Sequence, residues 1–292
     1  MGVIILGGVC VREVSDSTWE LRVDGALVAH MLDYFQYLPL EEFLATRPEW
    51  NSPEISDTLA LLQALISVDL ETVEALAPKL HLDFLLQPSF LERKVYSYTH
   101  NLILNLSKRE LSDYLRGLTP LLVDVLRLVV MEHAIPDLDR FLVRVTKETS
   151  DGRKIYKGLQ WNQAKIEEKR NRVLRTWHKY YGNNFNYKHY VSSSHLLKLL
   201  MDYADDDEIK ETAFAVRQIE KNLRNIVAHE VLFVNEVWLQ ERANMSSDAM
   251  HALLMRLIYA AGLTDQQQWD VISDLNEHLK ELFKARILEN TQ

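Results

Sequence analysis

The chain has 292 residues and a formal net charge of −9, with 47% hydrophobic and 26% charged residues. This length allows one large domain or two ordinary ones, and the composition is that of a soluble globular protein. The acidic balance argues against a general nucleic-acid coat. The single cysteine, Cys10, excludes an intramolecular disulfide and a multi-thiolate metal site, so a reducing, cytoplasmic compartment is predicted.

Neither a secretion signal nor a membrane span is predicted. The opening Met1 to Val14 has no early positive charge, which a signal peptide would need. The most apolar run, Pro120 to Met131, is interrupted by Asp124 and Arg127. It is far shorter than the roughly 20 residues of a membrane helix, and we expect a core helix there.

The predicted fold class is all-α, with at most a short β-hairpin at the N-terminus. Residues 2–14 and 18–23 carry β-branched side chains and could form two short strands, too few for a sheet domain. We therefore divide the chain into a short strand remnant or hairpin at 1–24, a helical domain of about six helices at 25–147, and a second helical domain at 148–292.

Helix signals in the first helical domain are frequent. Gly25 to Thr46 is helical in pattern, and Ser52-Pro53 opens another helix as N-cap and first-turn proline. Ser107 with Glu110 reads as a capping box, Gly117 as the end of that helix, and Thr119-Pro120 as the start of the next.

The second helical domain begins after a polar break at Lys147 to Gly158. Asn162–Tyr181 is predicted as one helix, Gly182 breaks the chain, and Ser194 caps a short helix. Asp205 to Asp207 could bind Mg²⁺, but an acidic helix cap is the favoured interpretation. The next helix has one apolar face, made by Ile209, Val216, Ile219, Leu223 and Ile226. Thr264 with Gln267 opens the last helix, whose apolar positions are Trp269, Ile272, Leu275, Leu279 and Leu282.

A basic segment from Arg153 to His189 stands out in this acidic chain. The segment contains ten Lys or Arg residues and only two Glu, so its net charge is about +8. The rest of the chain therefore carries a net charge of about −17. The cations are interleaved with Tyr156, Trp161, Trp177, Tyr180, Tyr181, Phe185, Tyr187 and Tyr190. Aromatic rings can stack unpaired bases while cations follow phosphates. The alternative is an amphipathic helix with Trp161 and Trp177 in the core. Lys179, Asn184 and Tyr187, around Gly182, are the speculative RNA contacts.

The densest chemistry lies in the sequence LRNIVAHE at 223–230, where Arg224, Asn225 and His229 interrupt an apolar run. Each loses hydration if it is buried, so partners or catalysis must compensate. Arg217 and Lys221 extend a cationic stripe that leads to Arg224, and both are further candidates for RNA binding. The alternative is that Arg224 pairs with an acidic neighbour and His229 is a core histidine.

Helical geometry limits what one copy of this motif can do. Five residues of a continuous α-helix turn through about 500°, which places His229 roughly 140° around the axis from Arg224. Either the helix is distorted near the motif, or a second copy completes the site across a two-fold axis.

The Arg-Asn-Ile-Val-Ala-His run resembles the Arg-x(4–6)-His signature of HEPN-domain ribonucleases. With the helical domain before it, the chain from about residue 25 to 292 resembles the type III-A CRISPR-associated accessory ribonucleases, in which a CARF sensor, a helical linker domain and a HEPN domain follow one another. Residues 1–24 are too few for a CARF sheet and could be its last strands, in a shortened chain or a natural short form. Cyclic oligoadenylate, the CARF ligand, is thus a partner only if the full-length protein has that domain.

The resemblance implies metal-independent cleavage of single-stranded RNA by a homodimer in type III CRISPR antiviral defence, without a cofactor. His229 would act in proton transfer or orient the 2′-hydroxyl, Arg224 would stabilise phosphate charge, and Asn225 would hold the histidine or the phosphate.

Two other functions stay open at this point. One is a non-catalytic HEPN-fold module that binds RNA or protein, and the other is a HEPN toxin neutralised by a partner. Metal chemistry is disfavoured because His251 and His278 have no ligand at suitable spacing, and His229-Glu230 is not followed by the second histidine of a zinc protease motif.

Overall fold

The computed structural model describes residues 5–6, 9–10, 16–168, 170–224, 226–227, 230, 233–264 and 268–289. Side-chain detail begins at residue 24 and leaves out Arg224 and Leu288. The fold is mainly helical, as predicted.

Two antiparallel pairs of strands and thirteen α-helices make up the described secondary structure. They are β1 (Ile5–Leu6), β2 (Val9–Cys10), α1 (Asp16–Asp33), α2 (Tyr37–Thr46), α3 (Pro53–Ser67), α4 (Leu70–Leu76), α5 (Phe90–Ser107), α6 (Leu111–His133), β3 (Leu142–Glu148), β4 (Lys154–Trp161), α7 (Gln163–Glu167), α8 (Arg172–Tyr181), α9 (Ser193–Tyr203), α10 (Asp207–Ile219), α11 (Glu236–Ala243), α12 (Ser247–Ala260) and α13 (Val271–Glu289). Short 3₁₀ turns lie at Pro48–Trp50, Asp83–Leu85 and Leu138–Phe141, and a π-helical turn at Glu220–Arg224 follows α10.

The chain forms two compact units, one made of Met1–Leu86 with Gln268–Gln292 and the other of Gln87–Gln267. Their limits differ from the sequence-based boundary near residue 148, because α6 packs on α5 before that point and on α9 and α12 after it. The assignment of functional domains to 1–24, 25–147 and 148–292 stays a prediction.

In the first unit, α1 to α4 and α13 pack around an apolar core. α3 begins as the sequence predicts, with Ser52 as N-cap accepting a hydrogen bond from the Ile55 amide at 3.2 Å and Pro53 in the first turn. Tyr37 donates a hydrogen bond to Asn276 of α13 at 3.0 Å inside this core. The segment 18–23, predicted as a strand, is part of α1, so that prediction was wrong. The proposed box of Thr264 and Gln267 involves Gln267, which lies outside the described residues.

The second unit is built on α6, a single helix of 23 residues. The predicted capping box and the stop at Gly117 were both wrong: Ser107 ends α5 and Glu110 precedes α6. Gly117 lies inside α6 because α5 approaches closely there. A Cβ on Gly117 would lie 2.5 Å from a methyl group of the buried Leu102. An apolar stripe continues unbroken through Pro120, as expected for a core helix.

The polar break predicted at Lys147 to Gly158 is in fact a β-hairpin. β3 and β4 are antiparallel, with Leu142 opposite Trp161 and Glu148 opposite Lys154, and the register shifts between Val145 and Thr146. Buried Trp161 anchors the base of the hairpin, while most of the other side chains are exposed. The alternation of basic and apolar residues is compatible with an exposed strand, so the prediction of a polar break over these residues was wrong.

The basic segment beyond the hairpin is divided into two helices. Asn162 caps α7 and Asn171 caps α8, each by accepting a hydrogen bond from the amide three residues on. The expected single helix over 162–181 was therefore wrong. The cap of α9 is Ser192 rather than Ser194. Asp206 caps α10 by accepting hydrogen bonds from the Glu208 and Ile209 amides at 2.8 and 3.2 Å, which confirms the cap interpretation of the acidic triplet.

Candidate functional site

The Arg224–His229 motif follows α10 in the second unit. The helix does not continue regularly into it: residues Glu220–Arg224 form a π-helical turn, and helical backbone resumes at Ile226 and Val227. A distorted helix was one of the two alternatives that the sequence left open, the other being a site completed by a second copy of the chain. Asn225 and His229 lie outside the described residues, as does the side chain of Arg224. Their catalytic roles therefore stay predictions.

The π turn changes which side chains share a face. A π turn holds one residue more than an α turn, so it rotates the following residues by roughly 100°. The prediction that Arg217, Lys221 and Arg224 form one stripe required an uninterrupted α-helix. The helix is interrupted by the π turn, so that premise was wrong. Leu223 and Val227 are both 1% exposed and form the buried face here, whereas Ile226 is only half-buried. Single π turns inside α-helices are frequent at functional sites.

A buried carboxylate lies at the start of the π turn. Glu220 is 7% exposed, accepts a hydrogen bond from the Ser193 hydroxyl at 2.8 Å, and pairs with Arg217 at 3.3 Å. Arg217 is thus engaged with Glu220, which itself binds Ser193 at the N-terminus of α9, and RNA binding by Arg217 stays a prediction. Lys221, the neighbouring candidate, is exposed. The sequence signal for this network is an acidic residue three positions after an arginine, which is too common to be specific.

A second cation from α6 reaches the motif. Arg116 Nε donates a hydrogen bond to the Val227 carbonyl oxygen at 3.3 Å, while its guanidinium also binds Asp113 at 2.8 Å. The 111 residues between Arg116 and Val227 explain why the sequence did not indicate this contact. It ties the backbone two residues before His229 to the central helix of the unit.

The three speculative RNA contacts around Gly182 have different surroundings. Lys179 forms an ion pair with Asp202, which also accepts hydrogen bonds from Thr176 at 2.7 Å and Tyr180 at 3.2 Å. The hydrogen bond to Asp202 raises the pKa of Lys179 above its ordinary value. Asn184 is exposed.

Tyr187, the third of these residues, packs its ring edge against Phe185, with 5.0 Å between centroids. Burial and the nearby Glu167 raise its pKa. These contacts make Lys179 and Tyr187 part of the local structure, and RNA binding by the three residues stays a prediction.

The largest aromatic residues of the basic segment belong to the core. Trp177 stacks on Phe185 with 4.4 Å between ring centroids and meets Trp161 edge to face at 4.8 Å. Both tryptophans are at most 2% exposed, so the alternative interpretation, that they are core residues, is confirmed for them. Trp161 Nε1 donates to His195 Nδ1 at 3.2 Å, and burial lowers the pKa of His195 to about 4. Tyr156, Tyr180 and Tyr190 are exposed by 57%, 41% and 50% and are the rings that could meet a base.

The remaining histidine candidates have ordinary partners. His251 lies 3.3 Å from the Tyr114 hydroxyl in the second unit, and burial lowers its pKa. His278 lies 2.9 Å from Glu54 beside an open pocket of about 390 Å³ in the first unit, which is not the unit of the motif. Among the described residues there is no group of three or more His, Cys, Asp or Glu that could hold a metal ion. None of the described helices is long and apolar enough to cross a membrane.

The comparisons with known proteins concern this same helical unit and its motif. The family model of the Cas_Csm6 HEPN domain matches residues 84–280, a span that contains the motif and its bundle. The helical fold and this family match thus define a HEPN-domain protein, of the CRISPR-associated ribonuclease class. The chain belongs to the Csm6 HEPN family.

A solved structure shares the fold. It is Enterococcus italicus Csm6 bound to cyclic hexa-2′-fluoro-hexa-dAMP, to which the chain is similar with a TM-score of 0.62 and 13% sequence identity. The match covers 93% of this chain and 59% of that one, so the chain spans about three fifths of the length of its structural relative. No curated protein sequence matches the chain.

Proposed function

We propose that this chain is an endoribonuclease that cuts single-stranded RNA without a metal ion. The observation that carries the proposal is the Arg224–His229 motif, whose first residue ends a π turn within the span matched by the HEPN family. The arginine guanidinium can stabilise negative charge, and the asparagine amide can donate and accept hydrogen bonds. The histidine imidazole can exchange a proton near neutral pH.

The proposed reaction is a transesterification within the RNA strand. The 2′-oxygen attacks the adjacent phosphorus, the bond from phosphorus to the 5′-oxygen breaks, and the products end in a 2′,3′-cyclic phosphate and a 5′-hydroxyl. The 2′-hydroxyl loses its proton and the leaving 5′-oxygen gains one. His229 assists this proton transfer or orients the 2′-hydroxyl, Arg224 stabilises the negative charge that develops on the phosphate, and Asn225 holds either the histidine or the phosphate.

We further propose that the active site is completed by a second copy of the chain. Two motifs related by a two-fold axis can face one cleft, which lets residues from both copies act on the same phosphate. Support comes from apolar side chains just after the motif: Phe233 and Val237 are 85% and 65% exposed. Large apolar side chains so exposed next to the motif are available to a protein interface.

The proposed biological setting is type III CRISPR antiviral defence in the cytoplasm. The structural relative is a Csm6 bound to a cyclic oligoadenylate analogue. We propose that such a ligand regulates this chain only where a CARF-type domain accompanies it. Adding cyclic hexaadenylate to the 292-residue chain should leave its rate unchanged. A ligand-dependent increase in rate would show that the chain itself binds the activator.

The decisive experiment is cleavage of a labelled single-stranded RNA in the presence of EDTA. The wild-type chain should cut it and leave 2′,3′-cyclic phosphate ends, while Arg224→Ala and His229→Ala should each abolish cutting. Arg256→Ala, at an exposed position of α12 in the same unit, is the matched control and should retain full activity. Light scattering should give the mass of a dimer.

Other outcomes would identify the alternatives. RNA that is bound but never cut, with no effect of His229→Ala, would indicate a non-catalytic module. A small protein that co-purifies and suppresses cutting would indicate a toxin with its neutralising partner. Equal cleavage by wild type and by His229→Ala would reject the proposed active site.

A further inference from the structure

The distal half of the β3–β4 hairpin is exposed on both faces. From Thr146 to Lys157 every side chain is exposed except that of Thr149, which is half-buried. A two-stranded hairpin alone is marginally stable in water, and the described hydrogen bonds between this one and the segment before α9 lie at its base. There Trp161 is buried, and the Val191 amide donates a hydrogen bond to the Leu159 carbonyl oxygen at 2.8 Å. The hairpin thus presents an ordered but uncovered ribbon.

The register places one exposed aromatic ring between two cations. Tyr156 lies opposite Thr146, Lys154 opposite Glu148, and Arg144 opposite Leu159. Side chains alternate between the two faces along a strand, and residues paired across strands share a face. Counted along β3, with the register shift taken up by the unpaired Lys157 of β4, Arg144, Tyr156 and Lys154 lie on one face, together with Glu148 opposite Lys154. Lys154 is two residues from Tyr156 along β4, about 7 Å. Lys147 and its partner Ile155 lie on the other face.

The charge of the ribbon is positive, although the chain as a whole carries −9. Arg153 is neutralised by Asp151 at 2.6 Å in the turn. Among the described residues no carboxylate lies within ion-pair distance of Arg144, Lys147, Lys154 or Lys157. Lysine is depleted in protein interfaces, whereas cations that flank an exposed ring are typical of surfaces that bind single-stranded nucleic acid. The composition of this face therefore favours RNA over a protein partner.

We propose that the face bearing Arg144, Tyr156 and Lys154 binds the single-stranded RNA substrate, with one base stacked on Tyr156 and the flanking phosphates at the two cations. The identity of the polyanion rests on the proposed function. The surface is separate in sequence from the Arg224–His229 motif, and it differs from the contacts around Gly182 that the sequence indicated. Its role is to hold the strand while the motif cuts.

The test is RNA affinity in a chain that carries His229→Ala, so that the RNA stays intact. Fluorescence anisotropy with a labelled 20-nucleotide single strand gives the Kd. Tyr156→Ala should raise it about 10-fold because the stacking platform is lost, whereas Tyr156→Phe should keep the parent value. Arg144→Gln should raise the Kd and reduce the slope of log Kd against log salt by about 0.7, the value for one phosphate contact on a single strand.

Lys147→Gln is the matched control, because it removes the same charge from the same strand on the opposite face. It should change the Kd less than 2-fold, about the limit of what screened distant charge produces. Equal effects of Lys147→Gln and Arg144→Gln would mean diffuse attraction and would overturn the proposal, as would parent affinity in Tyr156→Ala. A change of molar mass in Tyr156→Ala at unchanged affinity would make the hairpin a protein contact. Thermal unfolding curves that match the parent exclude a folding defect.

Failure of this proposal is distinct from failure of the proposed function. If the wild-type chain cuts RNA but Tyr156→Ala binds it normally, only the hairpin proposal fails. If RNA binding depends on Tyr156 but no cleavage is found, the binding face stands and the ribonuclease assignment fails.

Discussion

Arg116 is the residue through which α6 holds the backbone of the motif. Its Nε donates to the Val227 carbonyl oxygen at 3.3 Å, and Asp113 fixes the same guanidinium at 2.8 Å. Two partners in different directions define the position of the planar fork better than one would. The contact therefore restrains the position of the backbone at Val227, two residues before His229.

We expect Arg116→Gln to lower kcat for RNA cleavage on the order of 10-fold, because small displacements of a reacting group reduce rate strongly. KM should change little, since Arg116 contacts the helix rather than the substrate. Arg116→Lys, which keeps the charge but not the fork, should recover only part of the loss. Arg256→Gln in the same assay is the control for general loss of a cation. An unchanged kcat in Arg116→Gln would show that the contact does not position the motif.

Glu220 is the residue on which the start of the π turn depends. Its buried carboxylate is satisfied by Ser193 and Arg217. Removing one member of a buried ion pair leaves the other charge uncompensated and costs about 3–5 kcal/mol. Arg217 is 21% exposed at its side chain, so part of its charge is hydrated and the lower end of that range applies here.

Glu220→Ala should therefore lower the free energy of unfolding by about 3 kcal/mol in urea denaturation. The double variant with Arg217→Ala should lose less than the sum of the two single variants, because the partner charge has gone as well. Strict additivity in this cycle would mean that the two groups do not interact. If Arg217 instead contacts RNA, Glu220→Gln should free it and raise RNA affinity.

At the scale of elements, the β3–β4 hairpin depends on one glycine. Gly158 has φ +135°, a conformation that residues with a side chain rarely adopt, and a Cβ there would lie 3.0 and 3.2 Å from two ring carbons of Tyr190. The Tyr190 ring therefore packs directly on the backbone of β4. This contact joins the hairpin to the segment that leads into α9.

Gly158→Ala should loosen the hairpin and destabilise the chain by about 1–3 kcal/mol, from backbone strain and from the clash with Tyr190. Hydrogen exchange in β3 and β4 should rise, and trypsin should cut faster at Lys147 and Lys154. Gly152→Ala separates the two causes, because Gly152 also has positive φ but nothing within 4 Å of its Cβ position. Adding Tyr190→Ala to Gly158→Ala should restore part of the stability. Unchanged protection of the hairpin would mean that Tyr190 does not fasten it.

The sequence predicted elements well where periodicity or a local cap determined them. The all-α class, the cap at Ser52, the acidic cap at Asp206 and the core helix through Pro120 to Met131 are all confirmed. Gly117 was misinterpreted because its role is to let Leu102 approach, and such a tertiary contact leaves no local signal. The hairpin was missed for a related reason: both its faces are exposed, so the apolar alternation that identifies a half-buried strand is weak.

The motif itself was predictable as a concentration of polar chemistry, but its setting was not. Hydrogen bonding decides whether a helix widens into a π turn, and the residues at Glu220–Arg224 do not differ in helix propensity from an ordinary helix. The buried pair of Glu220 with Ser193 and the reach of Arg116 to Val227 join residues that are distant in sequence. Only the tertiary fold brings them together.

At the scale of the whole molecule, the second unit contains buried histidines whose pKa values are lowered. Burial lowers the pKa of His100 and of His195 to about 4, and Lys198 and His189 contribute at His195. Burial also lowers the pKa of His251. In the unfolded chain each imidazole titrates near 6.5. The unfolded state therefore binds more protons between about pH 6.5 and pH 4, and stability must fall as the pH is lowered through this window.

We expect the free energy of unfolding to be constant between about pH 7 and pH 8 and to decrease by about 1–2 kcal/mol for each of His100 and His195 between about pH 6.5 and pH 5, before most carboxylates titrate. His195→Asn should reduce this dependence, because it removes the imidazole and keeps an acceptor for Trp161 Nε1. His178→Asn, at an exposed position of α8, is the control and should leave the pH dependence as in wild type. Urea denaturation at four or five pH values measures the slope. If His195→Asn retains the full slope, His195 does not contribute to the pH dependence. Water then reaches its imidazole in the folded chain, and the aromatic cluster around it is more accessible to solvent than its contacts indicate.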